Sequence, residues 1–196
     1  MLHDASLRDA VWKAYSAAAR QPAGKHPFPV GREFAESLGY PGELLDSLPD
    51  SAVDAFAGVS NVSLVAEINE ACTVLDLGCG AGLDALVAAR RTGQSGRVFG
   101  VDFSDSMLER AKRAAREAGT DNVDFVRGDA EQVPLPDASI DVALTNGIFN
   151  LNHQRAEILG ELARVVRPGG TMFGAELILV DPLPESERTS ATSWFA

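Results

Sequence analysis

The sequence predicts an α/β protein, a mostly parallel sheet flanked by helices and preceded by an N-terminal helical extension. Three observations lead there. From residue 72 onward, apolar runs of about six residues alternate with helical patterns, the rhythm that builds parallel strands through right-handed crossovers. The first of these runs leads directly into the alternating glycines Gly78, Gly80 and Gly82, which open the next helix. Before residue 70 there are only helical pieces, separated by proline and glycine. The expected division is residues 1–70 as an extension or lid, 71–180 as the sheet domain and 181–196 as a short tail.

Each element has its own signal. Leu7, Ala10, Val11, Ala14, Tyr15 and Ala18 recur at helical spacing and predict a helix over 6–20, with Ser6 and Asp9 as a capping pair. Pro22, Gly24, Pro27 and Pro29 then enforce an extended link, in which His26 reads either as part of a lid or as part of a proline-stiffened linker. Short helices are expected over 31–38, 42–48, 50–57 and 61–68. Strand one is 72–77 and its helix 82–92. Strand two is 97–102, and the helix after it starts at Ser104 as N-cap and stops at Gly119 in the left-handed conformation. Strands three and four are 123–127 and 140–145. A helix over 154–166 is expected to bury Ile158, Leu159, Leu162, Val165 and Val166. Pro168-Gly169-Gly170 should end it before strand five at 171–180.

Composition narrows the function. The chain has 196 residues, enough for one domain with a substantial core. Its net charge of −11 and lack of a basic block argue against a nucleic-acid partner. No apolar run reaches the length of a membrane span. Met1-Leu2-His3-Asp4 lacks the regions of a signal peptide, so a cytoplasmic location is expected. Cys72 and Cys79 form no metal-ligand pattern and read as small buried residues.

The chemistry concentrates in Val74-Leu75-Asp76-Leu77-Gly78-Cys79-Gly80-Ala81-Gly82. Glycine at positive φ lets backbone N–H groups approach a ligand with no Cβ in the way. The helix N-terminus that follows adds unpaired donors. Gly80-x-Gly82-x-x-Ala85, with Asp102 twenty residues beyond Gly82, also satisfies the dinucleotide fingerprint. Asp76 shifts the balance. A pyrophosphate would be repelled by a carboxylate there, whereas the ammonium and sulfonium of S-adenosylmethionine (SAM) would be attracted. An NAD-dependent oxidoreductase is the competing reading.

Ligands of open parallel sheets bind at the carboxyl ends of the strands, where this sequence places Asp76, Asp102, Asp129 and Asn146. Asp102 can accept both ribose hydroxyls and Phe103 can cover an adenine face. Asp129 can accept from the adenine amine while the Ala130 N–H meets a ring nitrogen. Asn146 can hold the amino-acid end of the cofactor or the acceptor. His153, just after strand four, is the best candidate by position for a base toward a neutral acceptor, and reads more readily as a surface residue at the start of the next helix.

Val74–Gly82, Gly100-Val101-Asp102, Gly128-Asp129-Ala130 and the run from Leu162 to Gly170 occur in one order over residues 72–180. In this the chain resembles the class I SAM-dependent methyltransferases. The resemblance implies a Rossmann-like sheet and cofactor roles for Gly78, Gly80, Asp102, Asp129 and Ala130. Asp76, Cys79, Phe103 and Asn146 complete the candidate set. Gly39-Tyr40-Pro41, Gly58-Val59-Ser60-Asn61 and the run from Thr145 to Leu151 further resemble arsenite methyltransferases. Those enzymes carry cysteines where this chain has Val59 and Gly147. Thiolates suit arsenic(III), so a small-molecule acceptor other than arsenite is expected. A quinone or other lipid-like acceptor, and a SAM-binding module without catalysis, are the alternatives. The family finishes its sheet with two further strands, for which 181–196 leaves no room. Strand five is then expected at an edge, covered by a homodimer or by sequence continuing beyond this chain.

Overall fold

The structure, a computed structural model, describes residues 4–178. The tail, and strand five beyond residue 178, lie outside the described residues. Helix α1 (Asp4–Arg20) is followed by four short helices, α2 (Arg32–Ser37), α3 (Gly42–Asp46), α4 (Asp50–Val53) and α5 (Val62–Val65). Then come β1 (Thr73–Leu77), α6 (Leu83–Thr92), β2 (Arg97–Asp102), α7 (Asp105–Ala118), β3 (Val123–Arg127) and β4 (Ile140–Asn146). A single 3-10 turn (Phe149–Leu151), α8 (Arg155–Val165) and β5 (Val166–Ala175) complete the order. Helix α1 already begins at Asp4, so Ser6 lies inside its first turn and is not its cap.

The five strands are parallel, in the order β3-β2-β1-β4-β5. The chain moves outward from β1 to β3, then returns to β4 on the other side of β1. This reversal opens a crevice at the carboxyl ends of β1 and β4. The pleat of β1 decides what faces it. Leu75 and Leu77 pack with Ile158, Leu162 and Val165 of α8. Val74 points to the opposite face, into a core with Leu83 and Leu86 of α6 and Leu108 of α7. Asp76 shares that face by alternation.

Tyr40, Leu45, Val53, Phe56 and Val62 of the N-terminal helices and their connections enter the same core as Val74. The extension is therefore built onto the sheet and not hung beside it. Helix α1 crosses above α7, where the buried Ser16 and Ser104 hydroxyls meet at 3.0 Å and Arg110 Nη1 donates to Ala19 O at 2.9 Å.

Most elements fall within a residue or two of their expected places. Ser104 caps α7 by accepting from Met107 N, and Gly119 ends it in the left-handed region. Strand five differs. It starts at Val166, not at 171, because Val166 pairs with Ile140 and the register resumes only at Val142 and Thr171. Arg167–Gly170 forms a bulge between them, enabled by Gly169 at φ 82° and held by an Arg167–Asp141 ion pair. Pro168 thus interrupts a strand, where the sequence suggested a helix end. Leu159, expected in the core, is exposed on the outer face of α8.

Gly82 marks the tightest packing in the glycine turn. Its φ is +88°, and a Cβ there would lie 2.9 Å from Phe125 Cζ and 3.0 Å from Ala111 Cβ. Gly82→Ala should lower stability by roughly 1–3 kcal/mol, read as a lower denaturant midpoint at unchanged slope. An unchanged midpoint would contradict this packing.

Candidate functional site

A cleft of about 330 Å³ opens at the carboxyl ends of the strands. Asp76, Gly78, Cys79, Gly80, Asp102, Phe103, Asp129, Ala130 and Asn146 all line it, together with Leu7, Arg8, Val11 and Tyr15 of α1. His153 does not line it and is exposed. His26 is also outside, its Nε2 2.9 Å from Gln21 O in the proline-rich link.

The glycine turn is a backbone cradle. Gly78, Gly80 and Gly82 all have positive φ. The Gly78 and Cys79 N–H groups donate to Val101 O at 2.8 and 3.1 Å, which pins the turn against β2. Gly80 has no atom within 4 Å of where a Cβ would stand. Cys79 is buried, and burial pushes its thiol well above the ordinary range. Its sulfur packs towards Gly100 and its N–H is held by Val101 O, so Cys79 offers the cleft no thiolate.

Asp102 closes β2 with both carboxyl oxygens engaged. Oδ2 accepts from Gly80 N at 2.9 Å and Oδ1 from Ser104 N at 2.8 Å. Phe103 N–H is a third backbone donor to the same carboxylate, which leaves one of its roughly four acceptor sites for a hydroxyl. Burial raises its pKa and the backbone donors oppose the rise.

At the mouth, Arg8 forms an ion pair with Asp129 and lies 4.0 Å from Glu131. Its guanidinium stands 5.8 Å from the centre of the Phe103 ring. The loop after β3 that carries Asp129 is held from behind by Arg164, which donates to Val133 O at 2.8 Å, Leu135 O at 2.9 Å and Asp137 at 2.7 Å. This bracing gives the Leu162–Gly170 landmark its physical content.

Asn146 corrects the expectation that its amide would hold a ligand. Oδ1 accepts from Val59 N at 2.7 Å and Ser60 N at 3.1 Å. Nδ2 donates to Ser60 O at 2.8 Å and to Asp84 Oδ2 at 2.9 Å. These bonds use the whole capacity of the amide. Asn146 is a strut that ties residues 58–60 and α6 to the end of β4.

Asp84, missed in the sequence, sits buried in the first turn of α6. It accepts from the Tyr40 hydroxyl and Asn146, with Ser63 as a further donor. Asp76 is its opposite. It is 2 % exposed, and its Oδ2 has no hydrogen-bond partner. Burial, then Asp84 and Asp102, push its carboxyl well above the usual carboxylate range. Tyr15, one of the residues that mark the helical spacing of α1, lines the cleft, and burial followed by Asp102 and Glu176 keeps its hydroxyl protonated. The sequence signal for Asp84 is an acid inside Leu83-Asp84-Ala85-Leu86-Val87, an otherwise apolar helix start.

Residues 68–194 match the family described as a methyltransferase domain. The chain belongs to the SAM-dependent methyltransferases. It is 33% identical over 159 residues to an arsenite methyltransferase of Halobacterium salinarum, covering 81% of this chain and 40% of that protein. It is 34% identical over 106 residues to a demethylmenaquinone methyltransferase of Listeria welshimeri, covering 54% of this chain and 44% of that one. An arsenic(III) SAM methyltransferase from Chlamydomonas reinhardtii superposes with a TM-score of 0.62 at 33% identity, over 80% of this chain and 52% of that one. A SAM-dependent methyltransferase of Aquifex aeolicus shares the fold, with a TM-score of 0.57 at 23% identity. The chain thus spans about half or less of these three longer relatives' lengths.

SAM, the cofactor of this family, fits the residues present. The open face of Gly80 admits a close ligand, and the orphaned oxygen of Asp76 needs a donor or a cation. No described helix is long and apolar enough to cross a membrane.

Asn146→Ala should remove the strut. Each buried polar group left without a partner costs about 1–3 kcal/mol. The expected result is a lower melting temperature, with proteolysis entering the N-terminal helices before the sheet. An unchanged melting curve would show that the loops do not depend on it.

Proposed function

We propose that this chain transfers a methyl group from SAM to an apolar small-molecule acceptor other than arsenite. The observation that carries the cofactor half is Asp76, a buried carboxylate with an unpartnered oxygen beside a left-handed glycine turn and Asp102. SAM supplies a methyl group already activated on a sulfonium. The residues then have to bind, align and exclude water. Asp102 accepts the ribose hydroxyls, Phe103 and the Asp129-Ala130 pair receive the adenine, and the glycine turn with Asp76 takes the amino-acid end. Residues 71–180 act as the cofactor-binding part. Residues 1–70 act as its cover, with α1 closing the cleft through Leu7, Val11 and Tyr15.

The acceptor half rests on Val59 and Gly147. A Cβ on Gly147 would lie 2.9 Å from Val59 Cγ1 and 3.8 Å from Val59 Cβ. The two positions face each other, but they present methyl groups and a hydrogen where a soft metalloid needs thiolates. Leu7, Val11, Phe56, Ile148 and Leu151 give the cleft an apolar lining. This supports a quinone or other lipid-like acceptor, as does the similarity to the Listeria protein. A SAM-binding role without catalysis is the remaining alternative, separated by measuring conversion of SAM to S-adenosylhomocysteine with a panel of acceptors. A cytoplasmic location belongs to the same reading, supported by two unpaired cysteines. So does a homodimer along the β5 edge, supported by exposed Met172, Leu177 and Ile178 and testable by light scattering.

Calorimetry should detect SAM binding and no appreciable NAD binding. Asp102→Ala removes a charged acceptor worth on the order of 1.5–3 kcal/mol, so SAM affinity should fall roughly tenfold to a hundredfold. Unchanged affinity would remove Asp102 from the site. Arsenite should be methylated poorly, and Val59→Cys combined with Gly147→Cys should tighten arsenic(III) binding. Efficient arsenite methylation by the unmodified chain would overturn the acceptor assignment.

A further inference from the structure

The floor of the cleft holds two buried carboxylates that form no ion pair with a cation among the described residues. Asp76 is the penultimate residue of β1 and Asp84 lies in the first turn of α6, and both line the cleft. They differ in what they touch. Asp84 receives the Tyr40 hydroxyl, the Asn146 amide at 2.9 Å and Ser63. Burial raises the Asp84 pKa and these three donors oppose the rise. Asp76 faces the ligand space with one oxygen unpartnered.

The neighbours of Asp76 make its own ionisation costly. From α6 it faces Asp84, from the end of β2 Asp102, and from the segment between α2 and α3 the Tyr40 hydroxyl. Cys79 of the glycine turn is a buried thiol, and Tyr15 of α1 stands beyond Asp102. The nearby cations are engaged or exposed elsewhere. Arg8 is paired with Asp129, Arg91 donates to Ser63 O at 2.6 Å and Leu64 O at 3.2 Å, and Lys112 is exposed on α7. A second negative charge beside Asp84, out of water, is a configuration that neutralises itself by binding a proton.

We propose that this floor exchanges a proton for an ammonium group: Asp76 carries a proton when no cofactor is bound, and arrival of the cofactor's amino-acid end releases that proton to solvent. The Asp76 O–H bond breaks, its electron pair stays on the carboxylate and the proton passes to water. The ammonium supplies the positive charge that the proton supplied before. The inference rests on the reading of this cleft as the SAM site. It adds that the amino-acid end, not the adenosine end, is linked to pH. Burial and the two flanking carboxylates raise the Asp76 pKa without cofactor, and the ammonium lowers it. Affinity should therefore rise with pH, by up to about tenfold per unit, until Asp76 is ionised without ligand. Above that point the slope should vanish.

Calorimetry of the 196-residue chain in buffers of different ionisation enthalpy tests this. Two probes are compared, S-adenosylhomocysteine and 5′-methylthioadenosine, which keeps the adenosine and the thioether but lacks the amino-acid end. The expected result is release of a proton with S-adenosylhomocysteine and none with 5′-methylthioadenosine. Difference infrared spectra should show loss of a protonated carboxyl band with the first probe only. In Asp76→Asn, S-adenosylhomocysteine should still bind, more weakly, with no buffer dependence and no such band. Binding of S-adenosylhomocysteine with buffer-independent heat overturns the proposal alone. Equal proton release by both probes assigns the proton to the adenosine end, near Asp102, and also overturns it. Absence of binding by either probe overturns the cofactor reading, and the proposal with it.

Discussion

The hydrogen bond from Asn146 to Asp84 at 2.9 Å is the contact on which the architecture of the cleft depends. It joins the end of β4 to the first turn of α6. Through the rest of the same amide it fixes Val59 and Ser60 as well. The extension, the glycine turn and the acceptor side are thereby set relative to one another by two side chains. Burying such a pair is favourable only because every donor and acceptor in it is matched. Tyr40 and Ser63 complete the match from the N-terminal side. The helices ahead of residue 70 are thus part of how the site is built.

Around that strut the cleft is divided by charge. Its floor is acidic, with Asp76, Asp84 and Asp102 withdrawn from water. Its mouth is bridged by Arg8, which reaches Asp129 from a helix 121 residues earlier in the chain. One wall is apolar, from Leu7, Val11 and Leu151. A ligand with a cationic end and an aromatic end suits the first two regions, and an apolar acceptor suits the third. The contact between Val59 and Gly147 gives that third region no soft ligand.

What the sequence disclosed is what local chemistry encodes. Strands β2 and β3 are legible to the residue because alternation, Asp102 and Gly128 bound them. Ser104 and Gly119 mark α7 by capping alone. Strand β5 is not legible in the same way. The bulge at Arg167–Gly170 arises from pairing with Ile140 and Val142, and Pro168-Gly169-Gly170 reads equally well as a helix stop. The candidate site divides along the same line. The strand-end positions of Asp76, Asp102 and Asp129 follow from sequence. The saturation of Asn146, the burial of Asp84 and the cleft-facing side of α1 are tertiary facts, since Leu7, Val11 and Tyr15 carry the same helical spacing whether they face a core or a ligand. His153 follows β4 closely in sequence, but the chain carries it to the outside before α8 begins, in line with its reading as a surface residue.

The measurement that tests the central claim most directly is amide chemical-shift mapping of the protein titrated with S-adenosylhomocysteine. Saturable shifts should concentrate at the ends of three strands, at residues 78–80, 102–104 and 129–130. Smaller shifts should appear in α1 where it covers the cleft. Saturable shifts confined to other surfaces, or no shifts at all in a folded protein, would contradict that claim.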